Sequence, residues 1–243
     1  MSLRFRYHQL ALVVIGMSVF SMSSAAELFG YVGVQTRNFF EDPASELQHN
    51  NYLSGVIEPE FFHDWDDGRQ NIEAKLFYRE DQYDDNRSHG DIRELSWTGV
   101  FTDWELRAGV SKVFWGVAET QHLVDIVNQT DLVENVDGED KLGQPMIKAS
   151  TERDWGTLDF FILPGFRERT FAGPEGRPRT EFIIDTDSDA IYDFDDGKDH
   201  IDLAARYSHY IGEWEFGLSV FDGVGREPTD FTPTGTASTG EVI

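Results

Sequence analysis

The side chains able to do chemistry in this chain are overwhelmingly ionic. There are 45 aspartates and glutamates against 20 lysines and arginines, with seven histidines and no cysteine. The absence of thiols removes any disulfide framework, thiolate metal site or cysteine nucleophile. Three spacings remain to be weighed. Asp185, Asp187 and Asp189 alternate, and Asp-x-Asp-x-Asp can offer hard oxygen ligands to calcium. The match to a calcium loop is incomplete, because Ala190 stands at the sixth position in place of glycine and no Glu stands at the twelfth. His122, Asp125, Asn128, Asp131 and Glu134 recur every three residues, with Leu123, Ile126, Val127, Leu132 and Val133 between them. That is the pattern of a helical turn with polar groups toward water and apolar groups against a wall. Finally, Asp202, Ser208 and His209 hold the residue types of a nucleophilic triad.

The elements that would position these groups are strands. From Ile72 to Asp81 the even positions Ile72, Ala74, Leu76 and Tyr78 are apolar, while Glu73, Lys75, Arg79 and Asp81 are charged; Phe77 is the exception. Successive strand side chains point to opposite faces, so this segment separates an apolar surrounding from an ionic one. The alternation recurs around residues 104–111, 201–208 and 214–220, and more weakly around 53–65, 94–101 and 147–155. Nine strands are predicted, at 27–40, 50–63, 70–82, 91–101, 104–114, 145–154, 157–164, 199–209 and 214–222. The same parity argues against catalysis, since His209 falls on the apolar face while Asp202 and Ser208 fall on the ionic one. No phosphate loop, zinc-spaced histidine pair or nucleophile elbow is present.

The connections alternate in length as well. Tight turns are expected around 66–68, 102–103, 155–156 and 211–213, and long loops at 41–49, 83–90, 115–144, 165–198 and from 223 onward. Short turns at one end and long loops at the other describe an outer-membrane barrel, with periplasmic turns and extracellular loops. Trp65, Trp104, Trp155 and Trp214 stand at the short-turn ends on the apolar face, where an interfacial aromatic girdle belongs. A soluble β-sandwich also alternates, but its loops need not sort by side.

The N-terminus fits export. Arg4 and Arg6 form a basic region, Leu10 to Phe20 an apolar one, and Ser24 and Ala26 are placed for cleavage before Glu27. Residues 1–26 thus read as a secretory signal peptide and 27–243 as one all-β domain. The mature chain would hold 18 basic and 45 acidic side chains, a net charge of −27. So acidic a protein is unsuited to nucleic acid or an anionic membrane surface. The expected fold is a transmembrane antiparallel up-and-down β-barrel in the bacterial outer membrane, surrounded by lipid and lipopolysaccharide. An exposed apolar belt would suit lipid and a second copy equally, so oligomerisation stays open.

In such a barrel the ionic face lines the lumen, and the field of that wall selects solutes. The candidate pore-lining residues are Arg37, Lys75, Arg79, Arg107, Lys148 and Arg206, with Glu58, Glu60, Glu73, Glu94, Glu105, Asp202 and Glu215. They could orient a small polar solute, or they could pair across strands and support the wall. The 116–144 loop is the candidate constriction, through His122, Asp125, Asn128, Asp131 and Glu134; it could equally cover the barrel mouth. In the 165–198 loop the basic first half, Arg167, Arg169, Arg177 and Arg179, precedes the aspartate-rich second half. That acidic half could bind calcium, pair with those arginines or bridge to lipopolysaccharide through divalent ions.

The segment Gly109-Val-Ser-Lys-Val-Phe-Trp115-Gly116, followed by Leu123-Val-Asp125-Ile-Val-Asn128-Gln-Thr-Asp131, resembles porin-like outer-membrane barrels, including alginate-export-type porins. Gln129 stands where those families carry proline. The resemblance implies passive solute passage and names no solute. Nine strands cannot close a single-chain bacterial barrel, where strand numbers are even. Such barrels end on an aromatic recognised by the barrel-assembly machinery, and here the last residue is Ile243. The sequence is therefore expected to be the N-terminal portion of a larger barrel, the alternative being a miscounted strand.

Overall fold

A computed structural model describes residues 26–115, 126–186, 190–237 and 240–243. The signal segment to residue 25, and His122, Asp125, Asp187 and Asp189, lie outside the described residues. The strands are β1 (Ala26–Asn38), β2 (Asn51–Trp65), β3 (Gln70–Asp81), β4 (His89–Val100), β5 (Glu105–Ser111), β6 (Gln144–Arg153), β7 (Gly156–Pro164), β8 (Ile201–Ile211) and β9 (Trp214–Asp222). They form one antiparallel sheet in sequence order, β1 to β9, so every neighbour in the chain is a neighbour in space. The fold is an all-β up-and-down meander whose other described elements are two single 3₁₀ turns. Among the described residues no helix is long and apolar enough to cross a membrane. The sheet is not closed: β1 pairs with β2 and β9 with β8, and β1 and β9 do not pair with each other.

The tight turns sit at one end. Trp65 pairs with Gln70 across a turn in which Asp66 and Asp67 both take positive φ, 57° and 54°, before Gly68. Short polar side chains tolerate this left-handed backbone better than branched ones do. The Arg153–Gly156 and Ile211–Trp214 pairs close two-residue turns. Trp155 thus lies within its turn, where the 155–156 step was expected. The long connections gather at the opposite end.

Burial is inverted relative to a water-soluble sheet. Leu53, Ile57, Leu76, Leu95, Ile147, Phe160, Ile162, Leu203, Phe216 and Leu218 are exposed on one face. Ser54, Glu58, Arg79, Arg93, Ser96 and Asp202 are buried on the other. Register fixes this sorting, since cross-strand partners share a face: Ile57 stands opposite Tyr78 and Val32, while Ser54 stands opposite Asp81 and Gln35. The polar face is covered by the long connections, and its packing is not wholly ionic. Met146, Phe161, Leu163 and Ala204 join Trp115 and Val127 in a buried apolar cluster beneath the 126–143 segment.

Candidate functional site

Every residue expected to line a lumen falls, by strand register, on the loop-covered face. Most of these residues are engaged in ion pairs. Lys75 lies between Glu58 and Glu60, with Nζ 2.9 and 3.2 Å from their carboxylates. Arg107 reaches Glu73 at 3.6 Å and Lys148 reaches Asp159 at 3.1 Å. Asp202 is paired with Arg226 at 2.7 Å, and Arg206 donates to the Trp115 carbonyl. Glu94, Glu105 and Glu215 complete the face, the last two next to the tight turns. His209 stands opposite Phe216 on the other face from Ser208 and Asp202, so the three do not converge.

The strongest contacts hold the 126–143 segment to this face. Glu134 accepts from Arg79 Nε at 2.8 and 2.9 Å, and Arg79 Nη1 donates to Ser54 Oγ. Arg37 donates to the Glu134 carbonyl and to Asn135. Arg87 donates to Asp81 at 2.8 Å and to Gln35 at 2.8 Å, closing the arginine cluster around the loop carboxylate. Asp131 is 0% exposed. It accepts from Arg93 and from the Thr170 hydroxyl, both at 2.6 Å. Burial alone would raise its pKa, but His89 Nε2 at 3.7 Å, Arg93 and Thr170 outweigh burial and hold the carboxyl well below the ordinary carboxylate range. Asn128 donates to the Ser111 and Leu142 carbonyls and accepts from Val113 N–H. It fastens the segment to the ends of β5 and β6.

This corrects the polar half of the expected orientation, while Val127 packs against the wall as the pattern implied. Residues 126–134 are not helical, and Asn128, Asp131 and Glu134 grip the wall where the sequence pattern put them toward an aqueous path. The physical reason is charge complementarity: the wall beneath them carries Arg37, Arg79, Arg87 and Arg93, and a buried arginine requires an anionic partner.

Of the candidate calcium ligands only Asp185 is among the described residues. Asp185 is exposed, and among the described residues no three acidic or histidine side chains cluster as a metal site. The arginines of the basic half look elsewhere. Arg167 pairs with Asp91 at 2.6 Å, Arg169 donates to Gln129, Arg177 to the Glu41 and Asp42 carbonyls, and Arg179 pairs with Glu241 at 2.5 Å. They tie residues 167–179 to β4, to the β1–β2 and 126–143 connections and to the C-terminal stretch.

Several members of this lattice escape sequence parity. Arg93 sits one residue from Glu94, so strict alternation puts it outside; a bulge where β3 passes from Lys75 to Leu76 turns it inward. Two adjacent charges, Arg93-Glu94, flanked by Ile92 and Leu95 are the available signal. Arg226 and Arg167 come from loops with no periodicity to read.

Family models, curated proteins and solved structures yield no significant match to the chain. The site is therefore read from its own geometry. An ionic face is lined by paired charges and capped by a carboxylate-clamped segment, and an apolar face is left bare.

Proposed function

We propose that this chain forms part of the wall of an outer-membrane β-barrel channel for passive diffusion of small polar solutes, with the 116–144 connection narrowing the path. The observation that carries this reading is the inverted sheet. Monomeric soluble proteins rarely leave contiguous apolar patches beyond a few hundred Å², because each such patch costs free energy in water. Here the bare face runs from Leu28 and Val32 on β1 to Phe216, Leu218 and Val220 on β9, which suits lipid contact. The indoles of Trp65, Trp104, Trp155 and Trp214, all partly exposed at the tight-turn end, suit the boundary between hydrocarbon and water. Both outer edges of the sheet need partner strands before the wall closes, since an open edge has no water to satisfy it inside a bilayer. Export through residues 1–26 and delivery by the barrel-assembly machinery belong to the same proposal.

The dense pairing on the loop-covered face favours a second reading, a barrel that is plugged and serves structure or surface binding. Planar-bilayer recording on the full-length protein separates the two. Discrete conductance steps that follow the salt concentration are expected of the channel; insertion without current above background would leave the plugged barrel.

A further inference from the structure

Three interruptions of the sheet coincide on its apolar face. The β2–β3 ladder lapses between the Ile57–Tyr78 and Glu60–Lys75 pairs, where Pro59 has no N–H to give. The β3–β4 ladder carries its bulge at the neighbouring position, between Lys75 and Leu76. The β4–β5 pairing stops at Leu95–Val110, so His89 to Glu94 have no β5 partner. A regular ladder leaves no room between strands; these three faults together open a groove of about 630 Å³, within the roughly 300–1,000 Å³ typical of ligand sites.

Its walls are Ile57, Leu76, Tyr78, Ile92, Val110 and Pro145, with Phe77 beneath. The two charged groups at its margin are spent on each other, Arg167 lying 2.6 Å from Asp91 while also donating to the Gly143 carbonyl at 2.7 Å. Gly143 fits between β4 and β5 because it lacks a side chain: a Cβ there would meet Arg93 O at 2.4 Å and Val110 Cγ1 at 2.5 Å. The chain thus seals the fault from the polar side and leaves it open on the apolar side.

We propose that this groove holds one acyl chain of a membrane lipid, drawn from the leaflet on the long-loop side. The proposal rests on the reading of this face as lipid-exposed. An apolar trough with no unpaired charge selects hydrocarbon over a charged or polar ligand. Its position beside the loop-side ends of β5 and β6 selects the leaflet, and an inserted chain fills space that the broken ladders leave between strands.

The test uses the full-length protein in phosphatidylcholine vesicles containing a phospholipid with a photoreactive acyl chain, with crosslinks mapped by mass spectrometry. Crosslinks at Ile92 and Val110 should exceed those at Ile162 and Leu203, on the same face, severalfold. Ile92→Trp or Val110→Trp fills the trough and should abolish that excess while crosslinks at Leu203 persist; Ile162→Trp should leave it intact. Equal crosslinking at all four positions, or an excess that survives both groove substitutions, overturns the acyl-chain site. Absence of crosslinks even at Ile162 and Leu203 overturns the lipid-exposed face itself, so the two failures are distinct.

Discussion

The two faces of the sheet obey opposite rules with the same backbone. On the loop-covered face most of the charges are paired, and Asp131, Glu134 and Asp202 are buried against Arg93, Arg79 and Arg226. On the other face large apolar side chains stand exposed from β1 to β9. A sheet that meets water on one side buries its apolar residues and exposes its polar ones. The inversion is what supports the proposal that the bare face meets an apolar surrounding, and the covered face derives its order from electrostatics as well as apolar packing.

The largest test of that contrast removes one buried anion. Asp131→Ala takes from Thr170 its acceptor and from Arg93 the nearer of two carboxylates, Asp91 at 3.3 Å remaining, and should cost about 3–5 kcal/mol, the usual penalty for breaking a buried ion pair, read by urea unfolding of the refolded protein. The pH dependence has a definite sign. Because the Asp131 pKa is depressed below its ordinary 3.8, its contribution is complete above about pH 4 and is lost as pH falls through the depressed folded value. The deficit of Asp131→Ala should therefore be present in full at pH 5 and shrink only in stronger acid.

Next comes a charge on the bare face. Leu203→Arg should cost about 2–4 kcal/mol for folding into vesicles if its site is near the bilayer midplane. If that face met water, the change would stay within about 0.5 kcal/mol.

Asp84 sharpens the contrast at smaller scale. It too is buried, but burial is the largest influence on it and raises its pKa, despite the N–H groups of Gly173 and Asn86 that donate to Oδ1. Its charged form is therefore a burden at neutral pH that acid relieves. Asp84→Asn keeps an oxygen for both donors, so stability at pH 7 should hold or rise by about 1 kcal/mol or less, the gain fading as pH falls through the raised pKa. Smallest of all is the exposed Asp66–Arg69 pair in the first tight turn, with side chains 40% and 62% exposed. Arg69→Ala should change stability by about 0–1 kcal/mol, an effect that 1 M salt should erase.

All nine strands were legible in the sequence, because period-2 alternation between charge and hydrocarbon is strong wherever a strand divides two unlike surroundings. The tight turns were legible from Asp66-Asp67-Gly68 and Gly212-Glu213 for the same local reason. What periodicity could not reveal was non-local. Met146, Phe161 and Leu163 occupy inward positions made apolar by the Val127 segment that covers them, and nothing in their own strands announces that cover. The bulge that turns Arg93 inward violates the alternation used to read it. The loop carboxylates were found by their spacing, yet their direction depended on arginines from β1, β3, β4 and the Asp85–Arg87 turn. The acyl-chain groove was equally hidden, being the product of faults in three separate ladders.

The most direct test of the central claim uses β9, where both faces are exposed within the nine-stranded sheet. The native chain has no cysteine, so single cysteines placed in the full-length protein at positions 215 to 220 can be probed in intact outer membranes with a membrane-impermeant maleimide. A lipid-facing wall predicts alternation, with Glu215→Cys, Gly217→Cys and Ser219→Cys labelled and Phe216→Cys, Leu218→Cys and Val220→Cys protected. Labelling at all six positions, or protection of the odd ones in place of the even, would contradict it.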